Sequence, residues 1–318
     1  MFKKLKYITK QVLKFFLIDK LWAFFRQIYV NNKKKKTFAL ISTIKPLAVK
    51  DSPQYIVSLT SYGKRLTDTA PYAIVTLLNQ NFKPDKIVLW VASEDKGNIP
   101  QIMEKLIERG LEIHFCEDIK SYTKLIPAFE KYPEDYIITA DDDIYYPKNW
   151  LEQLLVEHKK KPKKIICHRA HGIKLDKDYN PIPYVKWDFC INPNEKNVSY
   201  LKPECVFPTG VGGILYPPKC FYKDLTNKEL FMKLAPRADD IWFWAMAMIN
   251  KEYFGEESPY VVVESGHSRN MYSIDPEQEK GGNALRNYNW AENGNDKQLK
   301  AVIEQYPQIR EVLKKIKT

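Results

Sequence analysis

Three adjacent acids, Asp141, Asp142 and Asp143, end the apolar run YIITADDD, and a second acidic pair, Asp239 and Asp240, opens the run DDIWFWAMAM. Carboxylates are hard oxygen ligands of the kind that hold Mg²⁺ or Mn²⁺. A carboxylate within hydrogen-bond reach of a hydroxyl can also take its proton. A metal-holding group and a general base are therefore the chemistry that these two clusters offer together. If the backbone stays extended at the triplet, Asp141 and Asp143 share a side and Asp142 takes the other. The alternatives are a surface turn for the triplet and helix capping for the pair.

The elements around these acids follow a regular rhythm. QYIVSLTSY, KIVLWVA, LEIHFC and DYIITA read as four strands. Between them, TDTAPYAIVTLLNQ, IPQIMEKLIERG (closed by Gly110) and SYTKLIPAFEKY read as helices, with Pro71 in a first turn. Strands and helices alternating in this way imply right-handed crossovers and a mainly parallel sheet flanked by helices, an α/β fold. Ligands of such sheets bind beyond the carboxyl ends of the strands, which is where the triplet falls. PKNWLEQLLVEHKKK follows as a helix from Pro147, KKIICHRAHGIKL as a strand, PTGVGGILYPP as a glycine-rich strand and turn, and YVVVESGHS as an apolar strand. The tail DKQLKAVIEQYPQIREVLKKIKT reads as two short helices divided by Pro307.

Charge is distributed unevenly. Residues 1–36 hold ten lysines, Arg26 and one acid, Asp19, and so carry +10 of the chain's formal +11. A nearly neutral body with one basic arm does not read as a nucleic-acid-binding domain. In the arm, Lys3, Lys6, Lys10 and Lys14 fall along one helical face opposite Leu5, Ile8, Val12, Phe15 and Phe16. Lys14, Asp19, Lys20 and Arg26 interrupt any run long enough to span a bilayer, and no small-residue cleavage site follows. An in-plane helix on an anionic membrane surface fits, with Trp22 and the Phe side chains at the acyl boundary and each Lys contributing about 1 kcal/mol; the alternative is an amphipathic helix packed on the domain or on a partner. The five cysteines form no CxxC pair, which suits a reducing, cytoplasmic compartment. The expected organisation is a membrane-association segment at 1–36, a linker at 37–53, the main domain at 54–275 and a helical tail at 276–318.

Taken in order, VSLTSYGKRL, LLNQNFKPDKIVLWVA, DIKSYTKLIPAF, ITADDDIYYPKNWL, TGVGGILYPP and APRADDIWF resemble a family-2-like glycosyltransferase of the GT-A fold, of the kind found in bacterial surface-polysaccharide and lipooligosaccharide gene clusters. The resemblance implies a sugar moved from a nucleotide diphosphate, with a UDP-sugar favoured, to a glycan or lipid-linked acceptor at the inner face of the cell membrane. It makes Asp143 the direct ligand of Mn²⁺ or Mg²⁺, Asp141 a contact to the ribose or to the metal through water, and Asp142 the less critical middle member. His267 stands where many proteins of this fold supply a third metal ligand. Asp240, ahead of Asp239, takes the place of the base in inverting members.

For the donor, Thr60, Ser61 and Arg65 follow the first strand, Asp118 resembles a carboxylate that reads uracil or ribose, and Lys124 is placed to meet the diphosphate. Gly212 and Gly213 lie in a segment that borders donor sugar and acceptor in the resembling family, with tight strand packing as the competing explanation. Of Trp242 and Trp244, which face different ways on a helix, Trp242 is the candidate acceptor wall. In HRAH, His168 and His171 face opposite sides of a strand, which disfavours a shared metal. A sugar-nucleotide nucleotidyltransferase is the second reading, although SLTSYGKR offers only one glycine for a phosphate loop. A membrane-bound glycan-binding protein is the third.

Overall fold

The computed structural model describes residues 21, 23–48, 54–193, 205–263, 271–275 and 293–314. Among these residues the central sheet has seven strands: β1 (Tyr55–Thr60), β2 (Lys86–Ala92), β3 (Leu111–Cys116), β4 (Tyr136–Thr139), β6 (Ile165–Cys167), β9 (Ile214–Tyr216) and β10 (Tyr260–Val262). Two short ribbons flank it, β5 (Ile144–Tyr145) paired with β11 (Tyr272–Ser273), and β7 (Ala170–Gly172) paired with β8 (Val206–Pro208). The sheet order is β10-β6-β9-β4-β1-β2-β3, parallel except where β9 runs against β4 and β6. This is the mainly parallel, helix-flanked architecture of a Rossmann-like GT-A fold.

The apolar runs in the sequence arise because both faces of the sheet are covered. On β1 and β2, Ile56 and Val88 face one core with Trp90 and Ile137. Their neighbours Val57, Leu59, Ile87 and Leu89 face the other core with Ile74, Leu77 and Leu154. From β1 the chain winds outward through β2 to β3, then returns to lay β4 on the opposite side of β1. That reversal is a topological switch point, and it opens a crevice beyond the carboxyl ends of β1 and β4. Ser61 and Arg65 leave β1 into it, and Asp141–Asp143 leave β4 into it.

Several boundaries differ from the sequence reading. Residues 37–48 are not a linker: Thr37, Ile41 and Ile44 are buried, Arg109 Nε–H donates to the Ile41 carbonyl at 3.2 Å, and Leu47 N–H donates to the Arg109 carbonyl at 3.0 Å. The tail is likewise part of the body. Its helices Gly294–Gln305 and Gln308–Lys314 bury Val302, Ile303, Ile309 and Leu313 in the core that also holds the helix Asp239–Met248. The helix expected from Pro147 begins at Trp150, because Pro147 instead accepts the Trp150 N–H in a turn. KKIICHRAHGIKL is split between β6 and β7, which belong to different sheets.

The turn from β8 to β9 shows the packing that two of its glycines make. Gly213 has φ +97°, and a Cβ there would lie 2.5 Å from the Trp150 ring. Gly212, at φ +106°, gives its carbonyl to Trp150 Nε1–H at 2.6 Å. Gly213 therefore serves close packing against Trp150, and Gly212 holds the indole N–H through its carbonyl. Gly213→Ala is expected to lose about 1–3 kcal/mol through overpacking, with a further cost for the positive φ. Thermal or urea unfolding will show this as a clear fall in midpoint.

Candidate active site

Arg65 organises the acidic triplet. Its Nη1 lies 2.6 Å from Asp142 Oδ1 and 3.1 Å from Asp143 Oδ2. Ser61 donates its hydroxyl to the second Asp142 oxygen at 2.6 Å. Asp142 is thus a buried anchor, its side chain 6% exposed against 22% for Asp141 and 20% for Asp143. Burial pushes its carboxyl above the usual range, although Arg65 and Ser61 pull the other way. Tyr146 fixes the start of the triplet, its hydroxyl accepting the Asp141 N–H at 2.7 Å.

Lys124 joins the triplet to the second acidic pair. Its Nζ lies 3.5 Å from Asp141 Oδ1 and 3.3 Å from Asp239 Oδ2. Burial disfavours the charge on this ammonium, but Asp239, Asp141 and Asp240 outweigh it and hold its pKa well above the ordinary value. The side chain is set from below by a relay through the sheet, in which Trp90 Nε1–H donates to Ser58 Oγ at 3.0 Å and Ser58 donates to the Lys124 carbonyl at 2.6 Å. Beside it, Asp240 Oδ1 accepts the Gly210 N–H at 2.9 Å. The helix Asp239–Met248 has no side-chain cap, so neither acid is used up by the capping alternative. Burial first, then the neighbouring Asp239, raises the Asp240 carboxyl to about 7, against the opposing pull of Lys124 and the Gly210 N–H.

Other expected residues are placed differently. The Thr60 hydroxyl is turned to the Trp90 carbonyl at 3.0 Å. Ser61 and Asp142, expected at the donor, are buried and spent on Arg65 and each other. Asp118 is exposed and closes its own turn by accepting the Lys120 N–H at 2.7 Å, outside the cluster. Trp242 is not an acceptor wall: it is fully buried, packs against Phe231 and Tyr306, and donates its indole N–H to the Leu225 carbonyl at 2.9 Å. His168 donates to the Trp150 carbonyl at 2.9 Å and His171 accepts the Cys190 N–H at 3.0 Å, so both are structural, with burial lowering their pKa values to about 4 and about 3. His267 lies outside the described residues.

The glycine that the site does use is Gly210, which the sequence reading passed over. A Cβ there would lie 2.6 Å from Lys124 Nζ and 3.2 Å from Asp240 Oδ1. Only a bare Cα admits both side chains, and its place in a PTG turn between two strands was the available signal.

The donor set suits a divalent cation. Five carboxylates, Asp141–Asp143, Asp239 and Asp240, face two cations, and the two half-buried members of the triplet, Asp141 and Asp143, offer hard oxygens to the crevice. Among the described residues no three His, Cys, Asp or Glu side chains are gathered as a cage. Two carboxylates with substrate phosphates completing the shell is a common manner of holding Mg²⁺.

Residues 59–214 match the family model described as Glycosyl transferase family 2. The matched family-2 segment runs from the end of β1 to the start of β9, taking in Arg65, Lys124, the triplet and Gly210, and stops short of Asp239 and Asp240. The match spans just under half of the chain. No curated protein sequence matches the chain. Among solved structures, the chain is similar to 4-diphosphocytidyl-2C-methyl-D-erythritol synthase from Anaerococcus prevotii, at 14% identity and a TM-score of 0.44, over 72% of this chain and 93% of that one. It is also similar to S. aureus TarS residues 1–349 in complex with UDP, at 13% identity and a TM-score of 0.38, over 61% of this chain and 55% of that one. At these values nothing about activity is carried across.

Two outcomes test the geometry. Activity should rise with pH along an acid limb whose midpoint is near 7, as Asp240 loses its proton. Removing the nearby ammonium in Lys124→Met should move that limb to higher pH, which a kcat/KM profile will show. Gly210→Ala needs no unusual φ but would crowd both Lys124 Nζ and Asp240 Oδ1, so turnover should fall about tenfold or more and a thermal scan should show a lowered melting point.

Proposed function

We propose that the protein is a metal-dependent glycosyltransferase that moves a hexosyl or N-acetylhexosaminyl group from a nucleotide diphosphate, a UDP-sugar by preference, to a glycan or lipid-linked acceptor with inversion. The observation that carries this reading is the joining of the two acidic clusters through Lys124 at one rim of the sheet. Such a transfer breaks the bond between an anomeric carbon and a phosphate oxygen, so negative charge grows on the leaving diphosphate while the acceptor hydroxyl must give up a proton. Mg²⁺ or Mn²⁺ held by Asp143 and Asp141 would offset the first.

The second task falls to Asp240. Its Oδ1 is fixed by the Gly210 N–H, and its raised pKa lets it be ionised at neutral pH and still take a proton. A single carboxylate on the acceptor side suffices for direct displacement, hence inversion. Arg65 and Ser61 hold the triplet in place through Asp142, and Lys124 keeps Asp141 and Asp239 together. Calorimetric titration with a nucleotide sugar, with and without chelator, separates the roles. Asp143→Ala should abolish metal-dependent donor binding, whereas Asp240→Asn should keep that binding and lose at least about a hundredfold in turnover. Unchanged donor affinity in the alanine variant would refute the metal role.

A further inference from the structure

Residues 23–39 form one helix whose two halves meet different surroundings. The second half is seated on the body. Val30 and Thr37 are buried, and Phe38 meets the Tyr72 ring edge-on with centroids 6.4 Å apart. Lys33 Nζ lies 4.1 Å from the Tyr145 ring centroid and 5.2 Å from that of Tyr272. Those two tyrosines are cross-strand partners in the β5–β11 ribbon. Immediately beyond them, Ile274 N–H donates to the Asp143 carbonyl at 2.7 Å. The helix is thus fastened to the ribbon that leads directly out of the acidic triplet.

The first half points apolar side chains at solvent. Leu21, Phe24, Phe25 and Ile28 recur at helical spacing and form a stripe, with Phe24 60% and Phe25 57% exposed. Nine residues separate Phe24 from Lys33, about 14 Å along a continuous helix. The stripe is therefore held by a stiff strut. The same helix is strongly basic, since Arg26, Lys35 and Lys36 are exposed and residues 21–36 hold no acid. A bilayer with anionic headgroups takes up both features, rings at the acyl boundary and cations among the phosphates.

We propose that this helix is a bracket that binds an anionic lipid surface and holds the acidic rim beside it. The inference goes beyond the catalytic reading and needs only the stripe, the charge and the Lys33 seat. It is tested on the full chain with phosphatidylcholine vesicles, with and without phosphatidylglycerol. Co-sedimentation is expected only with phosphatidylglycerol and should weaken with salt. Hydrogen–deuterium exchange on those vesicles should slow across residues 21–29 and across the ribbon at 143–146 and 271–275, and remain unchanged at Lys251–Phe254. The double variant Phe24→Glu, Phe25→Glu should fold normally and lose about tenfold or more in vesicle affinity, because a phenyl ring moved out of hydrocarbon costs on the order of a decade in affinity.

Absence of sedimentation, sedimentation unchanged in the double variant, or exchange protection that spares the ribbon would each overturn the proposal. Binding that survives without vesicles, to a protein partner in place of lipid, would overturn it as well. Hydrolysis of a nucleotide sugar by the double variant in solution should equal that of wild type. That reading is separate, so a failure of the membrane bracket and a failure of the catalytic assignment are told apart.

Discussion

The site rests on the cost of holding like charges together out of water. Asp141, Asp239 and Asp240 converge where the sheet is already buried, and three carboxylates there repel one another strongly. The Lys124 ammonium lies between Asp141 and Asp239 and offsets that repulsion. Arg65 does the same for Asp142 and Asp143. A buried ion pair adds little net stability, but removing one partner leaves an uncompensated charge that costs about 3–5 kcal/mol. The two cations are therefore fixed parts of the fold as well as of the site, and the residues that position them, Ser58, Trp90 and Gly210, are fixed with them.

The topology explains why these residues meet. Because β4 returns to the far side of β1, the segments after both strands open into one crevice, and Ser61 and Arg65 can reach across to Asp142. Lys124 comes from the crossover between β3 and β4, and its carbonyl is tied to β1 through Ser58. Gly210 and Asp240 arrive from the less regular half of the chain, on either side of β9. The site is thus a junction between the parallel half of the sheet and the antiparallel addition.

Much of this was legible in the sequence, and the limits have a physical pattern. The four strands from β1 to β4 and their helices were readable because burial on both faces forces unbroken β-branched and apolar runs, which short-range periodicity detects. The position of the acidic triplet at the sheet edge followed from the same argument. What sequence could not supply was the partner of each charge. Arg65 and Lys124 were read as donor contacts, but the carboxylates that each meets were not legible, because contacts between residues 65 and 142 or 124 and 239 depend on strand order. Gly210 was hidden beside the more conspicuous Gly212–Gly213 pair, which Trp150 claims for packing. The segment 37–48 was read as a linker because it follows the basic run NNKKKK, although Ile41 and Ile44 each find a place in the core.

Trp242 shows how a misplaced residue still bears on the chemistry. Its ring was expected to face a sugar, but it lies on the inner side of the helix Asp239–Met248, between Phe231 and Tyr306, with its N–H satisfied by the Leu225 carbonyl. Tyr306 comes from the tail, which also presses Val302 and Ile309 into the same core. This buried contact fixes the first turn of the helix against the body. A carboxylate that must meet a hydroxyl within a few tenths of an ångström gains more from a rigid backbone than from a neighbouring aromatic surface. The tail and Trp242 therefore act on Asp240 at a distance, by fixing the helix turn that carries it.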